Sequence, residues 1–204
     1  VALLEGFAYQ HHPNHTIVRE VIDRGEIGDI IQFQASFGFP PIDSAHRYDP
    51  ALGGGALLDA GTYTVHAARN MLNAEPIGFS SILQSGEEQV DIHGSALLNF
   101  GSTKSATLTF GFNNMYQNWY SVWGTKGLIH LDRPFSAPPE FEARLRIEKQ
   151  GITEEQLLPP ANQFSLQVEE FCAGIENSSI WPSWRNDARK QAECLERIRE
   201  AASV

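Results

Sequence analysis

The sequence predicts an α+β fold: one large, open, mostly antiparallel sheet with helices packed on one face. Three observations predict it. IIQFQASFGF (30–39) and SATLTFGF (105–112) alternate apolar and polar residues, the period of a half-buried strand. Between residues 77 and 149 short strand-like segments follow one another, separated by glycine-bearing turns, which suggests antiparallel neighbours. Helical patterns lie before and after that run instead of alternating with it.

Taken in order, VALLEGFAY (1–9) is nearly unbroken in its apolar character and reads as a strand of a covered sheet. Asn14 is a candidate cap for a helix whose apolar face is Ile17, Val18, Val21 and Ile22, and Gly25 ends it. In the next strand Ile31, Phe33, Ala35, Phe37 and Phe39 share a face. PPIDSAHRYDP (40–50) is a loop, and a helix runs from about Ala56 to Leu72. Strands are expected at 77–84, 90–100, 103–112, 118–123, 127–131 and 144–149. A loop with Gly151, Pro159 and Pro160 leads to two closing helices, at 162–176 and 186–202.

The chain has 204 residues, 42% of them hydrophobic, enough for a substantial core. Fifteen basic against twenty-five acidic residues give a net charge of −10, with no basic cluster, which argues against nucleic acid and against an anionic membrane surface as partners. No apolar run reaches the length of a membrane span. Cys172 and Cys194, without CxxC spacing, read as two buried free thiols in a reducing cytoplasm; neither a disulfide framework nor a metal site is expected. The sequons at Asn14 and Asn177 matter only in a secreted protein, and no secretory signal is visible. The abrupt apolar start leads us to expect a fragment of a longer protein.

LGGGALLDAGTYTVHAARNML (52–72) poses the functional question. Its three glycines lack the G-x-G-x-x-G spacing, follow no strand and precede no Lys-Ser/Thr, so they are expected to shape a loop sterically, not to cradle phosphates. On the helix, Asp59, Tyr63 and His66 stand at i, i+4 and i+7 and project from one face, opposite Leu58, Val65, Ala68 and Leu72. A tyrosine hydroxyl beside a carboxylate can hand a proton to a carbonyl oxygen or alkoxide. On pattern alone a structural role is equally open: Asp59 at a helix start, Tyr63 at a boundary, His66 a satisfied histidine.

EGFAYQHHPNH, GEIGDI, LGGGALLDAGTYTVHAAR and WGTKGLIHLDRPF, in this order, resemble the second domain of the glucose-fructose oxidoreductase / inositol dehydrogenase (Gfo/Idh/MocA) family. The resemblance implies an N-terminal Rossmann domain and a Glu-Lys-Pro lysine upstream, NAD or NADP bound mainly by that domain, and a division of this chain into a remnant last strand of the nucleotide-binding domain (1–12) and a substrate-binding and oligomerisation domain (13–204). It implies catalytic roles for Tyr63 and Asp59 and substrate-side roles for Tyr9, His11, Arg47, His66 and Tyr116; Gln10 departs from the family's common arginine. The stretch from Gly111 to Glu140 resembles a branch that includes sugar-nucleotide 3-ketoreductases, and its Asn113, Asn114, Tyr116, Gln117 and Trp119 suit a polyhydroxylated ligand, although sheet packing explains each singly. The expected function is therefore NAD(P)-dependent oxidation or reduction of a sugar-like hydroxyl or carbonyl by the parent protein, with this chain alone inactive. Homo-oligomerisation through the sheet face is also expected. The alternative is a non-catalytic sheet module serving assembly or ligand binding.

Overall fold

The computed structural model describes residues 1–42, 45–86 and 89–203. Its centre is a nine-stranded sheet built from β1 (Ile30–Phe39), β2 (Gly78–Ser85), β3 (Asp91–Asn99), β4 (Ser105–Phe112), β5 (Gln117–Gly124), β6 (Gly127–Asp132), β7 (Arg144–Lys149), β8 (Ile152–Leu157) and β9 (Ala202–Ser203). The spatial order is β8-β7-β6-β5-β1-β4-β3-β2-β9. Every pair is antiparallel except β1–β4 and β2–β9. β1 thus enters the middle of the sheet, between β4 and β5, and carries Phe37 and Phe39 toward the site.

The register builds one covered face. Phe33 lies opposite Ala106 and Val122, and Ala35 opposite Leu108 and Tyr120. All six are buried, together with Leu98, Ile129, Leu131 and Leu145. Onto this face pack α1 (Pro13–Asp23) through Val18 and Val21, and α2 (Thr62–Leu72) through Val65, Ala68 and Leu72. α3 (Gln163–Glu176) and α4 (Trp181–Glu200) complete the layer. The opposite face stays open, with Ile82, Leu97 and Trp123 each more than half exposed. The expected α+β architecture is the observed one, and among the described residues no helix is long and apolar enough to cross a membrane.

Several elements differ from expectation, each for a local reason. Residues 1–7 form no strand. The Ala8 amide donates to the Gly6 carbonyl (3.0 Å) across Phe7, whose φ −80° and ψ 69° are those of an inverse γ-turn, after which Ala8–His11 is a 3-10 turn. α1 is capped by His12, whose Nδ1 accepts from the Asn14 amide at 3.2 Å, with Pro13 in the first turn; Asn14 lies inside the helix. Residues 152–157 were expected as loop and instead pair with β7 as β8, a wholly exposed edge strand. α4 begins at Trp181, five residues early, with Pro182 in its first turn. Of the loop expected at 40–50, Asp43 and Ser44 lie outside the described residues; the rest includes 3-10 turns at Ala45–Arg47 and Pro50–Leu52. Cys172, expected buried, is exposed, whereas Cys194 is buried; both are free.

Candidate active site

The site begins with the three glycines. Gly53 is left-handed (φ 76°) and closes the turn Pro50–Leu52. The Gly54 amide donates to the Asp49 carbonyl and the Gly55 amide to the Arg47 carbonyl, each at 2.9 Å. A Cβ on Gly54 would lie 2.6 Å from the Arg47 carbonyl oxygen, and one on Gly55 (φ 123°) 2.3 Å from Asp91 Oδ1. Only glycine allows backbone to pass this close. The Gly54 and Gly55 amides are thus already taken by backbone carbonyls, which supports the steric reading of the triplet over a dinucleotide cradle.

The helix start is fixed from the sheet. Asp91 on β3 accepts the Leu57 amide at 2.6 Å, supplying the cap that the sequence around Gly55 lacks. Burial raises the Asp91 carboxyl above its usual range, against the lowering effect of the amides that bind it. From Leu57 to Gly61 the helix runs as a π turn before continuing as α2. Such insertions widen the turn and re-aim side chains, and they concentrate at functional sites.

Asp59 from the π turn and Tyr63 from the first turn of α2 reach one cavity of about 290 Å³. Its lining also includes Tyr9, Phe37, Phe39, Arg47, Tyr116, Phe135, Ser136, Gln163 and Phe164. Arg47 Nε donates to Asp59 Oδ2 at 2.5 Å while its guanidinium lies 5.7 Å over the Phe39 ring. Because the glycine turn holds the Arg47 carbonyl, this ion pair ties the loop to the helix. Tyr63 contacts Phe7, Phe37 and Phe135 through its ring. Burial raises its hydroxyl above the usual phenol value; the Asp59 carboxylate adds to this and Arg47 opposes it. The hydroxyl carries its proton at neutral pH and can donate it, as a weaker acid than a free phenol. On the far wall Asn118 Nδ2 donates to the Tyr116 hydroxyl (2.9 Å) and to Ser136 Oγ (3.0 Å). The cavity is mostly aromatic wall with a few convergent polar groups, the usual composition of a small-molecule site.

Five of the seven residues expected at the site therefore meet: Tyr9, Arg47, Asp59, Tyr63 and Tyr116. His66 does not. It is 1% exposed; its Nδ1 takes the Tyr9 hydroxyl at 2.6 Å and its Nε2 faces Asp187 Oδ2 at 3.1 Å. Phe7 stacks on its ring at 4.1 Å and also abuts Tyr63, filling the space that would have joined the two on one cleft. His11 faces a separate groove with Glu5, Gln10 and Glu170. Gln117 and Trp119 bond to each other at 3.0 Å, and Trp119 stacks on His130. Asn113 accepts the Tyr48 hydroxyl at 3.0 Å, and the Asn114 amide donates to the Phe39 carbonyl at 3.1 Å. Among the lining residues that carried no expectation as site residues are Phe37 and Phe39 on β1, Phe135, and Gln163 at the start of α3. The strict alternation of β1 was the available signal for the first two. Among the described residues no group of three His, Cys, Asp or Glu side chains is arranged to hold a metal ion.

A family model described as GFO/IDH/MocA C-terminal domain matches residues 15–130. A dTDP-3,4-didehydro-2,6-dideoxy-alpha-D-glucose 3-reductase of Saccharopolyspora spinosa is 36% identical over 207 residues, covering 98% of this chain and 62% of that protein. The Actinomadura kijaniata protein of the same name is 34% identical over 202 residues, covering 98% and 61%. Among solved structures, KijD10, a 3-ketoreductase from Actinomadura kijaniata in complex with NADP and TDP-benzene, superposes with a TM-score of 0.94 at 34% identity, over 99% of this chain and 63% of that one. The chain thus spans a little over three fifths of the length of these relatives.

Proposed function

The chain belongs to the GFO/IDH/MocA family, as its C-terminal domain, and from that premise we propose that it is the substrate-side part of an NADP- or NAD-dependent oxidoreductase that reduces a keto group of a sugar nucleotide. The observation that carries the reading is the convergence of Tyr63, Asp59 and Arg47 on the wall of one aromatic-lined cavity. In a protein of the relatives' length, bound nicotinamide supplies a hydride. This chain holds the sugar and supplies the proton. Tyr63 donates it to the oxygen of the reduced carbon, which becomes a stronger base than the phenolate as the hydride arrives. Asp59 is locked by Arg47 and fixes the electrostatic setting of the phenol. Tyr9 and Phe135 form apolar wall for the sugar ring, and Tyr116 with Ser136 offers hydroxyls at the opposite side.

We extend the proposal to the whole protein. Residues 1–12 are the segment leading from a nucleotide-binding domain into this one. His66 acts behind the wall, by holding Tyr9. The open sheet face, with Leu97 and Trp123 exposed, is the surface of homo-oligomer assembly. A cytoplasmic location agrees with two unpaired thiols.

The test is Tyr63→Phe in the full-length protein, assayed for NADPH-dependent reduction of a thymidine-diphosphate 3-keto-sugar. Removing a positioned acid typically costs about 10²–10⁴-fold, here in kcat with cofactor affinity unchanged. Near-normal turnover would take Tyr63 out of the mechanism.

A further inference from the structure

Gln163 is the first residue of α3, whose start is capped by Asn162 accepting the amides of Phe164 (3.1 Å) and Ser165 (3.2 Å). The cap fixes the backbone there and turns the Gln163 side chain inward, where it is 2% exposed and lines the cavity. Its amide orientation follows from its one partner. Nε2 lies 3.4 Å from the Phe135 carbonyl oxygen, which can only accept, so the nitrogen must face it. Oε1 is then left buried with no hydrogen-bond partner among the described residues. The cavity wall is mostly apolar, with Phe135, Tyr9 and Phe164 among its lining residues. Most buried side-chain oxygens find a donor, and one left without it carries the cost of its lost hydration.

This unpaired acceptor sits just behind the wall of a mostly aromatic cavity, and the long bond to Phe135 leaves the side chain free to turn it toward a donor on the ligand. We infer that Gln163 is a specificity-determining residue whose Oε1 accepts a hydroxyl of the sugar ring. The inference rests on the proposed sugar-nucleotide reading and goes further by assigning the acceptor. The remaining polar groups of the cavity wall differ from it. Arg47 has no acceptor atom, and Asp59 is engaged by Arg47. Tyr116 and Ser136 accept from Asn118 and bond to each other at 3.2 Å, so of their two hydroxyl protons one remains to be donated. Of the neutral groups on the wall, the Tyr63 hydroxyl and Gln163 Oε1 have no hydrogen-bond partner among the described residues; Tyr63 is assigned to proton donation, which leaves Gln163 as the acceptor for a ring hydroxyl. A ligand that lacks the matching hydroxyl leaves Oε1 unpaired, whereas a ligand that has it replaces a bond lost from water.

Binding of thymidine-diphosphate-glucose and its 2-, 3-, 4- and 6-deoxy counterparts to the chain, followed by calorimetry, tests this. The wild type is expected to bind one deoxy counterpart roughly tenfold more weakly than the parent sugar, the scale set by one unmade buried hydrogen bond. Gln163→Met should bring that ratio close to one while leaving affinity for the deoxy counterpart unchanged. Gln163→Leu provides the same comparison in a second shape, should the first variant fold poorly. A ratio that persists in the variants, or a wild type that binds every counterpart alike, overturns the role of Gln163 and leaves the cavity's function standing. A wild type that binds none of these sugar nucleotides overturns both.

Discussion

Acid should unfold this protein through His15. The residue lies on α1, is 5% exposed, and places Nδ1 3.1 Å from the Tyr120 hydroxyl on the central strand β5. Burial is the largest cause holding it neutral, and the nearby His12 adds to it; its pKa falls to about 3. An unfolded histidine titrates near 6.5, so between these values the unfolded chain binds the proton and the folded one does not. Stability contributed by a neutral His15 is thus full above pH 6.5 and declines as pH drops through the unfolded value toward about 3. At pH 5 the penalty is about 2 kcal/mol, and it grows to roughly 4 kcal/mol near pH 3. His15→Gln retains an acceptor for Tyr120 and removes the titration. Urea unfolding of both proteins at pH 7.5, 6 and 5 is the assay. The wild type should lose about 2 kcal/mol more than the variant between the first and last of these. The comparison cancels His11, His12 and His130, whose pKa values burial also lowers, and the carboxylates of Glu75 and Asp187, which Arg69 helps hold low. Parallel pH dependence in the two proteins would refute the assignment.

Three further outcomes are expected. Arg47→Ala in the full-length protein should raise KM for the sugar nucleotide severalfold with a smaller effect on kcat, measured by steady-state kinetics; a change confined to kcat would move Arg47 from the binding wall into the chemistry. The chain by itself should show no saturable quenching or enhancement of NADPH fluorescence at micromolar concentrations, because Gly54 is closed against the loop backbone and Gly55 against Asp91. Gly55→Ala should destabilise by about 2 kcal/mol or more in urea, since it strains the backbone and drives a methyl into the Asp91 cap; a loss under 0.5 kcal/mol would show that the turn relaxes easily.

Much of the sheet could be read from period-2 alternation, because β1 and β4 are covered on one face and open on the other. β8 could not. ITEEQL is exposed throughout and charged, as an edge strand that avoids further pairing should be, so burial leaves no pattern in it. VALLEGFAY shows the converse error. An apolar run signals burial, but Phe7 and Tyr9 are buried from a turn and a 3-10 segment, against α2, not from a ladder. Asp59, Tyr63 and Arg47 were legible because residue type and spacing coincide with the family pattern. Gln163 was not: a glutamine after a capping asparagine reads as a solvated first-turn residue, and its burial depends on where Phe135 arrives from another part of the chain.

The failed placement of His66 also explains how the site is kept rigid. An ideal helix would present positions 59, 63 and 66 within a narrow arc. The π turn interrupts that phase between the first two, yet both reach the cavity because independent contacts hold them, Arg47 at Asp59 and a ring of aromatic side chains at Tyr63. His66, on the regular part of α2, is withdrawn behind Phe7 and bonded to Tyr9. If Asp187 is ionised, it accepts a proton-bearing Nε2, and a neutral His66 then has a bare Nδ1 that must accept from the Tyr9 hydroxyl. Asp187 in turn is held at 3.0 Å by Arg69, which also grips Glu75 and Gln191. The cavity wall at Tyr9 is therefore anchored through His66 to α4, more than a hundred residues away in sequence. A polar stripe on one helix serves two layers: its first two members face the cavity, and its third holds the wall in place.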